Sequence, residues 1–337
     1  MKQLLLLFLL LGAILPGVVM ADLAPLKGVG DYSIPTWFKQ SFLDLPEEAA
    51  AAGAADKHLL VYFGQPGCPY CAELFNNNFS QRHIVDYTRR HFDSIDINIW
   101  GDREVKDFSG QTRPEKAFAS GLKVWFTPSI LVFDKHGKQV LRLNGYYPPH
   151  QFLAALRYVA EKKYTGQSLA QYLAKAPPAS AAGTLHPEPF FVPPPYDLTK
   201  AGGKPLAVFF EQKDCAGCDT LHQNIFRQPA TLEQLQRFRV VQLDRWSNAP
   251  VITPAGEKTT ARQWAERLNI AYVPSAVLFV DSREVIRIEA FLKAFHVQSV
   301  LDYTASGAFR SQPDLQRFIR ERAEHLRERG ITVDLWE

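Results

Sequence analysis

Four cysteines are the residues of this 337-residue chain whose type and spacing suggest chemistry. They form two CxxC pairs, Cys68 with Cys71 and Cys215 with Cys218, and no cysteine stands outside the pairs. Two thiols one helical turn apart can form a structural crosslink, bind a soft metal ion, or exchange disulfides with another molecule. The residues around each pair indicate which of these three roles to expect.

Each pair follows an apolar run and begins a stretch of helical character, in HLLVYFGQPGCPYCAELF and PLAVFFEQKDCAGCDTLH. The free N–H groups and the positive dipole end at the start of a helix stabilise a thiolate. They lower the pKa of a cysteine from about 8.5 towards 7. We therefore predict that Cys68 and Cys215 are nucleophiles, and that the second cysteine of each pair resolves a mixed disulfide. The predicted catalytic disulfides are Cys68–Cys71 and Cys215–Cys218.

A proline before a β-type run is the second chemical feature of each half. The sequence has Thr127–Pro128 and Val273–Pro274, whose prolines follow the first cysteine of their pair by 60 and 59 residues. A cis X–Pro bond turns the backbone sharply, and it would leave Thr127 and Val273 free to pair with a substrate strand. The residues expected to contact a substrate are these four and Tyr70.

The elements around the cysteines occur twice in the same order. Each half has a strand, the CxxC helix, a variable middle, a helix, the proline, a β-hairpin and a final helix. This is a duplication of a unit of about 140 residues, far longer than a solenoid repeat. The order predicts an α/β fold in each half, with a mixed central sheet flanked by helices.

The segment 175–196 separates the halves and contains seven prolines. Proline at this density excludes helix and ladder pairing, so we expect a semi-rigid linker between a first domain at 22–174 and a second at 197–337. Two helices are expected outside the repeat core. One covers PEEAAAAGAA before the first strand, and the other covers 312–329 and docks on the second domain.

The first 21 residues, MKQLLLLFLLLGAILPGVVMA, have the pattern of a signal peptide. A lysine precedes an apolar stretch, a Pro-Gly pair ends it, and small residues follow before Ala21. A membrane anchor is disfavoured because the apolar run is shorter than about 18 residues. We therefore predict a signal peptide at 1–21 and an exported protein.

The order of strand, CxxC helix, [TV]-Pro and hairpin resembles the thioredoxin fold. The segment FLDLPEEAAAAGAADKHLLVYFGQPGCPYC resembles the exported SoxW-type, thioredoxin-related proteins of bacteria over residues 40–165. The resemblance implies two tandem thioredoxin-like domains and periplasmic disulfide exchange on proteins, in the reducing or isomerising direction. The sequence departs from thioredoxins in two ways. Tyr62 and Phe209 replace their buried aspartate, and Gly67 and Asp214 replace the tryptophan before the first cysteine.

These features predict a protein-disulfide oxidoreductase, most simply a reductase without a bound cofactor. Its electrons would come from a membrane-bound donor. A disulfide isomerase or oxidase would use the same residues, and a binding module for substrate or copper with closed disulfides is a further alternative.

Zinc is disfavoured because the pairs lie 147 residues apart. The net charge of +3, spread along the chain, gives no support for a nucleic-acid partner. Asp214 is expected to raise the pKa of Cys215.

Overall fold

A computed structural model of the chain describes residues 23–174, 185–199 and 202–337. The predicted signal peptide and the first part of the predicted linker lie outside the described residues. Among the helices that are described, none has both the length and the apolar character needed to cross a membrane.

The first domain is built around a four-stranded sheet in the order β3-β2-β6-β7. Strands β2 and β3 are parallel and the other neighbours are antiparallel. All seven residues of β2 are buried, because helices cover both faces of the sheet. The elements are β1 (Leu26–Lys27), α1 (Leu45–Ala54), β2 (His58–Gly64), α2 (Pro69–Glu73), α3 (Arg82–His91), β3 (Phe92–Asn98), β4 (Glu104–Lys106), β5 (Thr112–Pro114), α4 (Glu115–Gly121), β6 (Ser129–Phe133), β7 (Gln139–Asn144), α5 (Pro149–Ala160) and α6 (Leu169–Leu173).

The second domain repeats this plan with the strand order β10-β9-β13-β14. The mixed pairing is the same, with β9 and β10 parallel and the rest antiparallel. The predicted α/β fold of two tandem domains is therefore confirmed. The elements are β8 (Tyr196–Asp197), β9 (Leu206–Glu211), α7 (Ala216–Thr220), α8 (Pro229–Leu235), β10 (Arg239–Asp244), β11 (Pro250–Ile252), β12 (Lys258–Thr260), α9 (Ala261–Arg267), β13 (Ser275–Val280), β14 (Arg283–Ile288), α10 (Ala294–Ala305), α11 (Leu315–Glu328) and β15 (Val333–Asp334).

Both helices predicted outside the repeat core are present. Helix α1 begins after Asp44, whose side chain accepts the N–H of Glu47. Helix α11 packs on α10 and buries Leu315, Ile319 and Ala323 along one face. Residues spaced four apart lie on one face of a helix. This apolar face is the one from which we predict docking on the second domain.

The described end of the predicted linker, 185–196, packs on the second domain. The N–H of Val192 donates to the carbonyl of Val240 at 2.9 Å, and Phe191 forms a bridge with the same residue of β10. Glu188 is buried. Aromatic and acidic residues between the prolines thus hold 185–196 on the domain, which proline content alone does not reveal.

The two domains pack through equivalent residues. Tyr146, after β7, forms an antiparallel bridge with Phe291, which has the same position after β14. Gly145 has a φ of +96°, and a Cβ on it would lie 2.5 Å from the Cβ of Ala290. The contact therefore has a local two-fold character, and one hydrophobic core continues across it.

Candidate redox site

Each CxxC pair lies at the start of a helix, as the sequence predicts. Cys68 is the N-cap residue of α2 and its Sγ accepts the N–H of Cys71 at 3.0 Å. Cys215 is the N-cap residue of α7 and its Sγ accepts the N–H of Cys218 at 3.1 Å. Both pairs are closed as disulfides. The first sulfur of each pair therefore lies where backbone N–H groups stabilise a thiolate after reduction.

The predicted prolines lie beside the cysteines. The peptide bonds Thr127–Pro128 and Val273–Pro274 are both cis. In the first domain, Cys68 Sγ is 3.4 Å from the carbonyl oxygen of Thr127 and 3.3 Å from its Oγ1. In the second, a Cβ on Gly217 would lie 2.9 Å from Pro274 Cδ. The structure thus brings each X–Pro segment against its own CxxC helix.

A glutamine and a tryptophan brace the loop before each pair. Trp100 Nε1 donates to Gln65 Oε1 at 2.7 Å, and Trp246 Nε1 donates to Gln212 Oε1 at 3.1 Å. The repeated contact explains why the glutamines align in the two halves. It assigns both tryptophans a structural role beside the site.

Tyr70, predicted to contact substrate, is instead covered by the second domain. Its hydroxyl oxygen accepts the N–H of Lys293 at 2.9 Å and lies 3.0 Å from His296 Nδ1. Its ring centroid is 5.2 Å from that of Trp336, and the side chain is 3 % exposed. Burial lowers the pKa of His296 to about 4, so this imidazole is neutral at pH 7. In this structure Tyr70 therefore seals the first site instead of presenting it.

The N-terminal segment and α11 complete the cover over the first pair. The N–H of Gly30 donates to the carbonyl of Gly67 at 3.0 Å, and a Cβ on Gly30 would lie 2.2 Å from the Cys68 carbonyl oxygen. Gln316 of α11 donates to the carbonyl of Trp125 at 2.8 Å, two residues before the cis bond. The backbone that was expected to receive a substrate strand is therefore flanked by the protein itself.

The second pair opens onto a groove of about 620 Å³. Gly217 has the position of Tyr70 in the repeat, and it has no side chain to fill the corresponding space. The groove is lined by Cys215, Val273 and Gly217 from the second domain, and by Pro148 and His150 at the start of α5. The site with open space in front of its disulfide is thus the CAGC site, although Cys215 itself is only 8 % exposed and CPYC is the more typical motif.

Asp214 precedes the second pair in a left-handed conformation, with a φ of +53°, and Gly67 has +74° at the same position. Cys215 rather than Asp214 caps α7. Its exposed carboxylate is left as a negative charge beside the Cys215 sulfur.

We predict that Asp214→Asn lowers the pKa of the reduced Cys215 thiol by about half a unit, because a negative charge beside a thiolate opposes ionisation. Asparagine tolerates the left-handed backbone, so the loop is expected to keep its shape. Thiol titration in a Cys68→Ser/Cys71→Ser background measures the shift. Lys213→Gln is the control and is expected to move the pKa upwards. An unchanged or higher pKa in Asp214→Asn would contradict this role.

A buried ionic network behind the second pair was missed in the sequence. His222 lies one turn after Cys218, and its ring nitrogens lie 3.0 Å from carboxylate oxygens of Glu188 and Glu211. Arg227 and Gln242 donate further bonds to these glutamates. Burial lowers the pKa of His222, but the hydrogen bonds to Glu211 and Glu188 outweigh it and the net pKa is raised. A glutamate ending an otherwise apolar strand was the available signal.

In the first domain, tyrosine hydroxyl groups lie behind the cysteine pair, in the region where the second domain has its buried charged side chains. Tyr62, at the position of the thioredoxin aspartate, donates to Tyr32 Oη at 3.1 Å. Phe75 has the repeat position of His222, and Gly64 has that of Glu211. The two CxxC pairs therefore lie in front of different cores, one apolar and one ionic.

Comparison with known families agrees with this geometry. A model of the thioredoxin-like domain matches residues 45–160 and again residues 196–305. The chain belongs to the thioredoxin-like domain family. The matches cover both CxxC pairs and both cis prolines. The narrower SoxW-type resemblance stays a prediction. No curated protein matches this thioredoxin-like chain.

Solved structures similar to the chain are also thioredoxin-fold proteins. A thioredoxin-fold protein from Helicobacter pylori is 31% identical over 36% of this chain and 79% of its own, with a TM-score of 0.31. A thioredoxin from Thermus thermophilus is 27% identical over 35% and 85%, with a TM-score of 0.29. The first two thioredoxin domains of Saccharomyces cerevisiae Eps1p are 12% identical over 75% and 93%, with a TM-score of 0.27.

Proposed function

We propose that this thioredoxin-like protein is an exported thiol–disulfide oxidoreductase that acts on protein disulfides in the periplasm. The observation that carries the proposal is the site geometry, found twice. In each domain the first cysteine caps a helix, its sulfur accepts the N–H of its partner, and a cis X–Pro segment packs against that helix. The apolar N-terminal stretch of the sequence supports export.

In the reducing direction, the Cys215 thiolate attacks one sulfur of a substrate disulfide. A mixed disulfide forms, and the other substrate sulfur leaves and takes up a proton. Cys218 then loses its proton and attacks the Cys215 sulfur, which releases the second substrate thiol. Two electrons pass from the pair to the substrate, and the Cys215–Cys218 disulfide remains. A membrane-bound donor is the proposed source of the electrons that reduce it again.

The two pairs differ in the roles that the structure supports. The groove in front of Cys215 favours direct exchange with a substrate at the second domain. The second domain covers Tyr70, and with it the first cysteine pair. This favours a second candidate role for the first pair, either as a closed crosslink or as a partner that exchanges electrons with the second pair. An isomerase or oxidase would use the same four cysteines, because the direction depends on reduction potential.

The reduction potential of each pair tests the proposal. Glutathione redox titration of the wild-type protein, and of Cys68→Ser/Cys71→Ser and Cys215→Ser/Cys218→Ser variants, assigns one potential to each site. We expect the Cys215 pair to titrate near the thioredoxin value of about −270 mV, as a reductase requires. A value near about −120 mV would make the protein an oxidant instead. A pair that never titrates would be a structural crosslink.

A further inference from the structure

The groove in front of Cys215 contains a buried cation that forms no direct ion pair within the described part of the chain. Arg245 lines the groove directly after β10 and is only 5 % exposed. Its guanidinium lies 4.5 Å over the Trp246 ring, its Nη1 is 3.5 Å from the carbonyl oxygen of Ala271, and its Nε has no hydrogen-bond partner. None of the ion pairs formed by the described residues includes Arg245, although the adjacent Asp244 and, more weakly, Glu266 act on its charge from a distance. Burying an unpaired charge is unfavourable, so an acceptor beside Arg245 would stabilise this site.

The opposite wall of the groove is the start of a helix from the other domain. Helix α5 is twelve residues long, and Pro148, His150 and Gln151 at its N-terminus line the groove. No side chain caps this end. Pro148 and Pro149 have no N–H, and the N–H of Phe152 donates to the Pro148 carbonyl. The N–H groups of His150 and Gln151 are therefore the ones without an intrahelical partner, and the helix dipole adds a positive potential there.

The first site shows what fits at such a helix end. There the hydroxyl oxygen of Tyr70 accepts the N–H of Lys293, the N-cap residue of α10. Helix α10 is the repeat equivalent of α5, and the equivalent of Tyr70 is Gly217. At the second site the equivalent N-cap is Pro148, which has no N–H, so an oxygen from outside would meet the N–H groups of His150 and Gln151 instead, and Gly217 has no side chain to cover them.

The remaining charges around the groove leave these donors available. Asp214 is exposed at the rim beside Lys213, and Asp244 Oδ1 accepts the N–H of Trp246 at 2.9 Å within its own turn. Burial lowers the pKa of His150, so this side chain is neutral at pH 7. Burial also lowers the pKa of Arg245, to about 10, which leaves the guanidinium charged at pH 7. The groove thus presents unsatisfied donors in front of the disulfide.

We propose that this groove binds the carboxylate of an acidic residue beside the cysteine of a protein substrate, held between Arg245 and the N-terminus of α5. The proposal rests on the proposed function, because disulfide exchange is what brings a substrate cysteine to Cys215. It makes the second site selective for acidic sequences. The first site has Ile99 at the position of Arg245, and its helix end is occupied by Tyr70.

A binding experiment on the oxidised full-length protein tests the proposal without requiring redox activity. The probes are two N-acetylated, C-amidated peptides, Ala-Glu-Ser-Ala and Ala-Gln-Ser-Ala, in which serine replaces the substrate cysteine. The indole N–H signal of Trp246, which stacks on Arg245, reports binding by NMR. We expect the Glu peptide to bind at least fivefold more tightly than the Gln peptide. Equal affinities, or no binding of either peptide at millimolar concentration, would overturn the proposal.

Two variants and one small ligand make the result specific. Arg245→Ile introduces the residue that the first domain has here, and it is expected to bring the affinity ratio to about one. Arg245→Lys keeps a charge and is expected to retain part of the preference. Glutarate binding as tightly as the Glu peptide would assign the groove to free carboxylates and overturn the peptide assignment. A Glu preference without any disulfide reduction would refute the proposed function alone.

Discussion

Replacing His222 with phenylalanine is expected to destabilise the second domain by about 3–5 kcal/mol. Both ring nitrogens of His222 lie within 3.1 Å of carboxylate oxygens, and Glu211 is fully buried. Phenylalanine is present at this position in the first domain as Phe75, so the change introduces no unsuitable shape. It does leave Glu211 as a buried charge with Gln242 as its remaining donor. Urea unfolding, followed by far-UV circular dichroism, measures the loss as an earlier transition of one domain.

The matched control is His222→Phe/Glu211→Gln, which removes the stranded charge and is expected to recover a large part of the stability.

The pH dependence gives an independent check. Because the folded pKa of His222 is raised above its unfolded value, its contribution is fully present below pH 6.5 and is lost as pH rises through the folded pKa. The difference between wild type and His222→Phe should therefore shrink in alkali. A difference below about 0.5 kcal/mol at pH 6 would contradict the network's role.

Replacing Tyr70 with glycine is expected to increase the alkylation rate of reduced Cys68 by tenfold or more. The change gives the first site the residue that the second site has, Gly217. It removes a ring packed against Trp336 and the hydroxyl that binds the start of α10. Iodoacetamide alkylation of a Cys215→Ser/Cys218→Ser background, at a pH above the thiol pKa, measures access to the sulfur alone.

Tyr70→Phe is the control for this experiment. It keeps the ring against Trp336 but loses the hydrogen bonds to Lys293 and His296, so we expect a much smaller increase in rate. Equal rates for wild type and Tyr70→Gly would show that Tyr70 does not limit access. The first site would then be covered by other elements, such as the segment around Gly30.

The fold and both cysteine sites could be predicted because their signals are local in sequence. The CxxC spacing, the apolar strand before it and the X–Pro pair before a hairpin each define one element. The coverage of Tyr70 could not be predicted in this way. It depends on contacts with Lys293 and His296, more than 200 residues away, and an aromatic residue beside a reactive cysteine looks the same whether substrate or protein covers it.

The ionic network and the groove were missed for a similar reason. Glu211 stands at the end of a strand, where a charged residue usually reaches solvent, and only the position of Glu188 and His222 makes it part of a buried cluster. Arg245 follows a strand in the same way, and the missing hydrogen-bond partner of its Nε is visible only in three dimensions. Glu188 also lies in the proline-rich segment, where the composition indicated a spacer.

The short parallel pairing of β1 with β15 has a consequence for the order in which the protein matures. Leu26 pairs with Val333, so this contact closes a loop of roughly 300 residues, and closure of such a loop has a high entropic cost. During synthesis, the first domain emerges and can fold long before α11 and Trp336 exist. A newly made chain therefore passes through a stage with an uncovered CPYC motif, which is closed only after α11, β15 and Trp336 have been made.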